Sequence, residues 1–163
     1  MKVFTIHDIR SWNPCYDPGV HADDSWKGNV LDLLVREDVT FENRLWVVMR
    51  PTLISEKAMR AFAIWCARQL QGSLKDKRSL NAIEVAEQFI LGNCNKKDLA
   101  TACKNAEDAS DTSIPARAAW ATTIPEADEA ARSSSRIVIS LVSEKSQLNK
   151  LIDILKSGPN NVF

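Results

Sequence analysis

The chain has 163 residues, within single-domain length, and its 45% apolar content, with five Trp and five Phe, is enough for a core. Its 21 basic and 21 acidic side chains cancel, so no overall field draws it to nucleic acid or to an anionic membrane. No apolar run approaches the roughly 20 residues of a membrane span. Met1–Arg10 has no long apolar segment after its lysine, which predicts no secretory signal and a cytoplasmic location.

Residues 1–28 read as an irregular N-terminal arm packed on the body. Trp12, Tyr16 and Trp26 interleave there with Pro14, Pro18, Gly19 and Gly28, and a short helical turn is expected around Asp8–Trp12. The three aromatics read as clamps or as partner anchors. From Asn29 helical punctuation takes over, and residues 29–158 form one helical domain. Asn29 caps a helix over Val30–Arg36, and Thr40 caps one over Phe41–Met49 that Pro51 stops. Ser55 opens a central helix to about Gln71, apolar over more than half its circumference and therefore buried by several neighbours; Gly72 is its natural stop.

The next helix spans Ser79 to Leu91 and ends at Gly92. Asn95 and Asp98 form a capping box for a helix that fades near Ser110. Ile114-Pro115 and Ile124-Pro125 bracket a short helix, Ala116–Thr122. Pro125 suits the first turn of another that runs to about Val142. Within it, β-branched Ile137-Val138-Ile139 leaves helix and strand both open. Ser143 caps a last helix, Glu144–Ser157, ended by Gly158-Pro159, and residues 159–163 form a loose tail. The fold class predicted is all-α, a compact bundle of about six to eight short helices with an irregular aromatic arm.

Chemistry-bearing residues are few. His7 and His21 are the two histidines, so a Cys15/His21 nucleophile pair in the arm, or metal binding by Cys15, His21 and Asp23 or Asp24, is the enzymatic alternative. No phosphate-cradling glycine loop, zinc-protease helix or calcium loop is present. The four cysteines, Cys15, Cys66, Cys94 and Cys103, lie far apart and are expected as free thiols, Cys66 serving as a small apolar residue. No cofactor or metal is expected.

Charge is segregated along the chain: residues 1–49 carry −3, 50–104 carry +5, 105–130 carry −5 and 131–163 carry +3. Lys75, Lys77, Arg78, Lys96, Lys97 and Lys104 gather at two helix starts and read either as solubilising surface or as a nucleic-acid-binding cluster. The acidic counterpart is Asp108, Asp111, Glu126, Asp128 and Glu129, with i,i+3 pairs on single helix faces. These five residues are the predicted contact for a basic protein partner.

Four segments together resemble a known family: Asp8-Ile9-Arg10-Ser11-Trp12 before Pro14-Cys15-Tyr16-Asp17-Pro18; Leu45-Trp46-Val47-Val48; Arg60-Ala61-Phe62-Ala63 with Cys66-Ala67; and Ala82-Ile83, Ala86, Phe89 and Gly92. Over roughly residues 5–135 the chain is similar to the small all-α immunity proteins of bacteria and their phages, the class-five-like group of polymorphic toxin systems. It departs from them in a shorter Ala-rich stretch after Gly92, broken by Pro115 and Pro125. The resemblance implies a non-catalytic protein that binds a protein partner stoichiometrically, such as a toxin or, in a phage, a bacterial defence component.

Overall fold

The computed structural model describes residues 1–110 and 113–159. The chain folds all-α, with nine α-helices and one two-residue strand pair among the described residues. It divides into a first compact unit over Met1–Leu53 and a second that begins at Ile54.

The first unit opens with β1 (Phe4–Thr5) and α1 (Ile6–Ser11). Thr5 closes a reciprocal cap: its Oγ1 accepts from the Asp8 N–H at 3.2 Å, while Asp8 Oδ2 accepts from the Thr5 N–H at 2.7 Å. A 3-10 turn at Pro18–Val20, capped by Asp17, leads to β2 (Lys27–Gly28), which pairs antiparallel with β1, Phe4 opposite Gly28. A Cβ at Gly28 would stand 2.9 Å from the Trp26 ring, so only glycine lets indole and backbone approach this closely. Then come α2 (Val30–Leu34), capped by Asn29 with Asp32 completing the box, and α3 (Phe41–Val48), capped by Thr40.

Aromatic contacts hold this unit. Phe4 packs on Trp12 and Trp26 with centroids 6.0 and 5.6 Å apart, and Tyr16 meets Trp46 edge-on at 6.3 Å. The Arg50 guanidinium lies between two indoles, 4.1 Å from the Trp46 centroid and 4.6 Å from that of Trp12. Trp12 and Trp26 thus pack residues 1–28 around Phe4 of the strand pair, and Tyr16 ties them to α3.

The second unit is built on α4 (Glu56–Arg68), opened by Ser55. Ala58 through Ile64, then Cys66 and Ala67, are all buried, which matches the wide apolar arc in its sequence. Its neighbours are α5 (Lys77–Leu91), α7 (Ile114–Ala121), α8 (Ala127–Val138) and α9 (Glu144–Ser157). The helix α6 (Lys96–Ser110) packs on α5 and α7. Ala63, Ala121, Ile124 and Ala130 form an apolar cluster with Trp120 and Ile137 packed against it; alanines let helix axes approach closely.

Local details differ from the sequence reading. The cap of α5 is Asp76, whose Oδ1 accepts from the Arg78 N–H at 2.8 Å; Ser79 is buried inside the first turn. The helix therefore starts at Lys77, two residues before the expected Ser79, because the Asp76 carboxylate caps it. Gly72 does not end α4, which closes at Arg68 and continues into a 3-10 turn at Gln71–Ser73. Pro125 precedes the cap residue Glu126 instead of lying in the first turn of α8. Around Ile137-Val138-Ile139 the chain is helical to Val138 and then turns, with the N–H groups of Leu141 and Val142 both donating to the Val138 carbonyl at 2.8 Å.

Candidate functional site

The side chain that organises the second unit is Arg60. It sits on the apolar arc of α4 and is fully buried. Its Nη1 donates to the carbonyls of Thr122 at 2.8 Å and Ile124 at 2.9 Å, and its Nη2 donates to Pro125 at 2.8 Å. These carbonyls end α7 and form the turn into α8, the negative end of a helix dipole, where a guanidinium is favoured. Glu56, one turn earlier on α4, stands 3.6 Å from Nη2, and the Phe89 ring lies 5.3 Å from the guanidinium carbon. Burial pushes the Arg60 pKa down, while the Glu56 carboxylate and, more weakly, Glu126 push it back. A guanidinium stays charged through such shifts.

The clamp fixes where α8 begins, and three of the predicted contact residues lie there. Glu126 is the exposed cap residue, Asp128 and Glu129 stand in the first turn, and Glu129 is exposed. Carboxylates at a helix N-terminus are stabilised by its dipole. Asp128 is already engaged, accepting from Arg132 Nη2 at 2.6 Å one turn on. Asp108 is exposed on the last turn of α6, where its charge is felt by Arg78 at the start of α5. Since α6 packs on α5 and α7, and α8 on α4 and α7, Asp108 stands on a different flank from the α8 group. Asp111 lies outside the described residues.

The basic residues are split. Helices α5 and α6 pack as a hairpin joined at Gly92–Asn95. Their N-termini therefore lie at opposite ends of a 15-residue helix, roughly 20 Å apart. Lys75, Lys77 and Arg78 share one end, with Arg78 paired to Asp76 at 2.8 Å, and Lys96 and Lys97 share the other.

In the arm, Cys15 is exposed and His21 half-buried. His21 Nδ1 lies 3.9 Å from Asp38 Oδ2, and Asp38 is gripped by Arg36, whose Nε donates to Oδ1 at 3.0 Å. Arg36 also donates to the His21 carbonyl. The Arg36 contact holds the Asp38 carboxyl below its usual range. Burial raises the Tyr16 phenol, aided by Cys15 and opposed by Arg50. The crevice beneath Tyr16 and His21, lined by Ile9, Trp26, Leu33 and Arg36, has room for about one water molecule. Among the described residues no three His, Cys, Asp or Glu side chains gather as a metal site, and no helix is long and apolar enough to cross a membrane.

A second buried polar junction joins α4, α8 and α9. Gln147, fully buried on α9, accepts at Oε1 from Ser135 Oγ at 2.7 Å and from the Cys66 thiol at 3.9 Å, and its Nε2 donates to the Val142 carbonyl at 3.1 Å. Burial pushes the Cys66 thiol far up, so it stays protonated and acts as a donor. Neither Arg60 nor Gln147 was assigned a role from sequence. The signal was present in both: Arg60 lies on the apolar arc of α4, and Gln147 lies one turn before Leu151 on the buried stripe of α9.

The chain matches no protein-family model, no curated protein and no solved structure. Of the central-helix segment singled out in the sequence, Arg60, Phe62, Ala63 and Cys66 are all interior.

Proposed function

We propose that this chain is a non-catalytic binding protein that neutralises a protein partner by stoichiometric occlusion. The partner is a toxin, as for immunity proteins, or, if the chain is phage-encoded, a bacterial defence protein encountered in the cytoplasm. The observation that carries the reading is the exposed acidic start of α8, Glu126 and Glu129, standing on a turn that Arg60 holds through three carbonyls. A backbone held in place before binding loses little freedom on association, and the charges it carries steer a basic, nuclease-like surface toward them. Asp108 on α6 lies apart from this group, and Asp128 contributes less because Arg132 already neutralises it. Occlusion needs affinity and no chemistry.

The test is affinity capture of the tagged protein from lysates of bacteria that express candidate toxins and defence proteins, read by mass spectrometry. The reading expects one protein recovered in equimolar amount and released by salt. An eluate that carries only metal, metabolite or nucleic acid contradicts it.

A further inference from the structure

We propose that α9 is a hinged cover that lifts from α4 as a unit while α4 to α8 stay folded, and so bares the face of α4 that carries Cys66. Each of the other helices in the second unit has at least two principal helical neighbours, whereas α9 packs mainly on α4. Only three of its apolar side chains, Leu148, Leu151 and Ile154, are buried, while Ile152 and Leu155 are half-buried. A helix with so small an apolar footprint and one principal neighbour belongs to the low-stability end of a fold's local openings.

The seam beneath it is also partly polar. Gln147 meets Ser135 and the Cys66 thiol in a fully buried position. When an apolar seam opens, water meets only hydrocarbon. Here water can replace each hydrogen bond that opening breaks, which lowers the cost of separation, while in the closed state the same bonds fix the register of α9. The turn after Val138, with Leu141 59% exposed, supplies the hinge. Opening joins the apolar stripe of α9 and the Cys66 face of α4 into a surface that the closed protein lacks.

Cys66 reports the motion, because its thiol is buried in the closed state. The experiment is pulse labelling of the intact protein with N-ethylmaleimide across low urea, with each cysteine resolved by peptide mass spectrometry, alongside amide hydrogen exchange. The proposal expects Cys66 labelling at least about tenfold faster than global unfolding allows, with a shallow urea dependence. Labelling whose rate and urea slope match the slowest amides of α4 and α8 overturns it. In Gln147→Glu, a carboxylate forced into the seam is expected to speed Cys66 labelling by about tenfold or more, with amide exchange in α5 to α7 unchanged. No acceleration, or equal acceleration in every helix, overturns the proposal as well.

Discussion

Arg60 shows how much one side chain can organise. Its removal leaves three carbonyls without their donor and Glu56 without its ion-pair partner, and each buried acceptor so stranded costs about 1–3 kcal/mol. Arg60→Met, which keeps most of the volume, is therefore expected to lower unfolding stability by about 3 kcal/mol or more in urea titration. A loss under about 1 kcal/mol would mean that the turn is held by other contacts. Asp76 gives a pH prediction. Its carboxyl is held below the ordinary value by hydrogen bonds from the Arg78 side chain and backbone. The contribution is therefore present above the unfolded carboxylate pKa of about 3.9 and is lost as pH falls through the lower folded value. Asp76→Asn keeps a good cap but removes that titration, so the fall in stability below about pH 4 should be shallower than in the parent. An identical acid limb would exclude the linkage.

At the scale of elements, the helix starts were the most legible feature. Thr40, Ser55, Asn95 and Ser143 stand where their sequences place them, each accepting a backbone N–H of the first turn. Those signals are local, with donor and acceptor within three residues. Gly92 was legible for the same reason: it ends α5 at φ 83°. Gly72 was misread because a glycine near the end of a helix need not adopt that conformation, and its φ is not positive. The pair makes a controlled comparison. Gly92→Ala should cost about 1 kcal/mol, whereas Gly72→Ala, where an added Cβ meets open space, should be neutral or slightly stabilising. Thermal melts of the two variants decide it, and equal effects would contradict the assignment. The Arg60 clamp was not legible, because its acceptors lie 62, 64 and 65 residues away in sequence. Only the placement of an arginine on the apolar arc of α4 hinted at it.

At the scale of the whole molecule, net neutrality conceals the features that matter. The acidic stretch 105–130 and the basic stretch 50–104 are separated along the chain, yet folding disperses the basic residues to both ends of the α5–α6 hairpin and gathers Glu126, Asp128 and Glu129 on one helical turn. Glu126, Asp128 and Glu129 stay together because their spacing keeps them within one helical turn, whereas Asp108 stands apart on α6. The basic group was not readable from sequence, because chain reversal between helices decides where each lysine points. Glu126→Gln combined with Glu129→Lys should leave the fold intact, since both side chains are exposed, while the lost and reversed charges at the start of α8 lower stability by about 1–2 kcal/mol. Circular dichroism and melting check that point independently of binding.

The most direct measurement of the central claim is calorimetric titration of the captured protein partner into the parent chain and into this double variant. The account predicts one-to-one binding by the parent and a loss of at least about tenfold in affinity for the variant, steepest at low salt. Unchanged affinity in a variant that stays folded would contradict it and move the interface away from the start of α8.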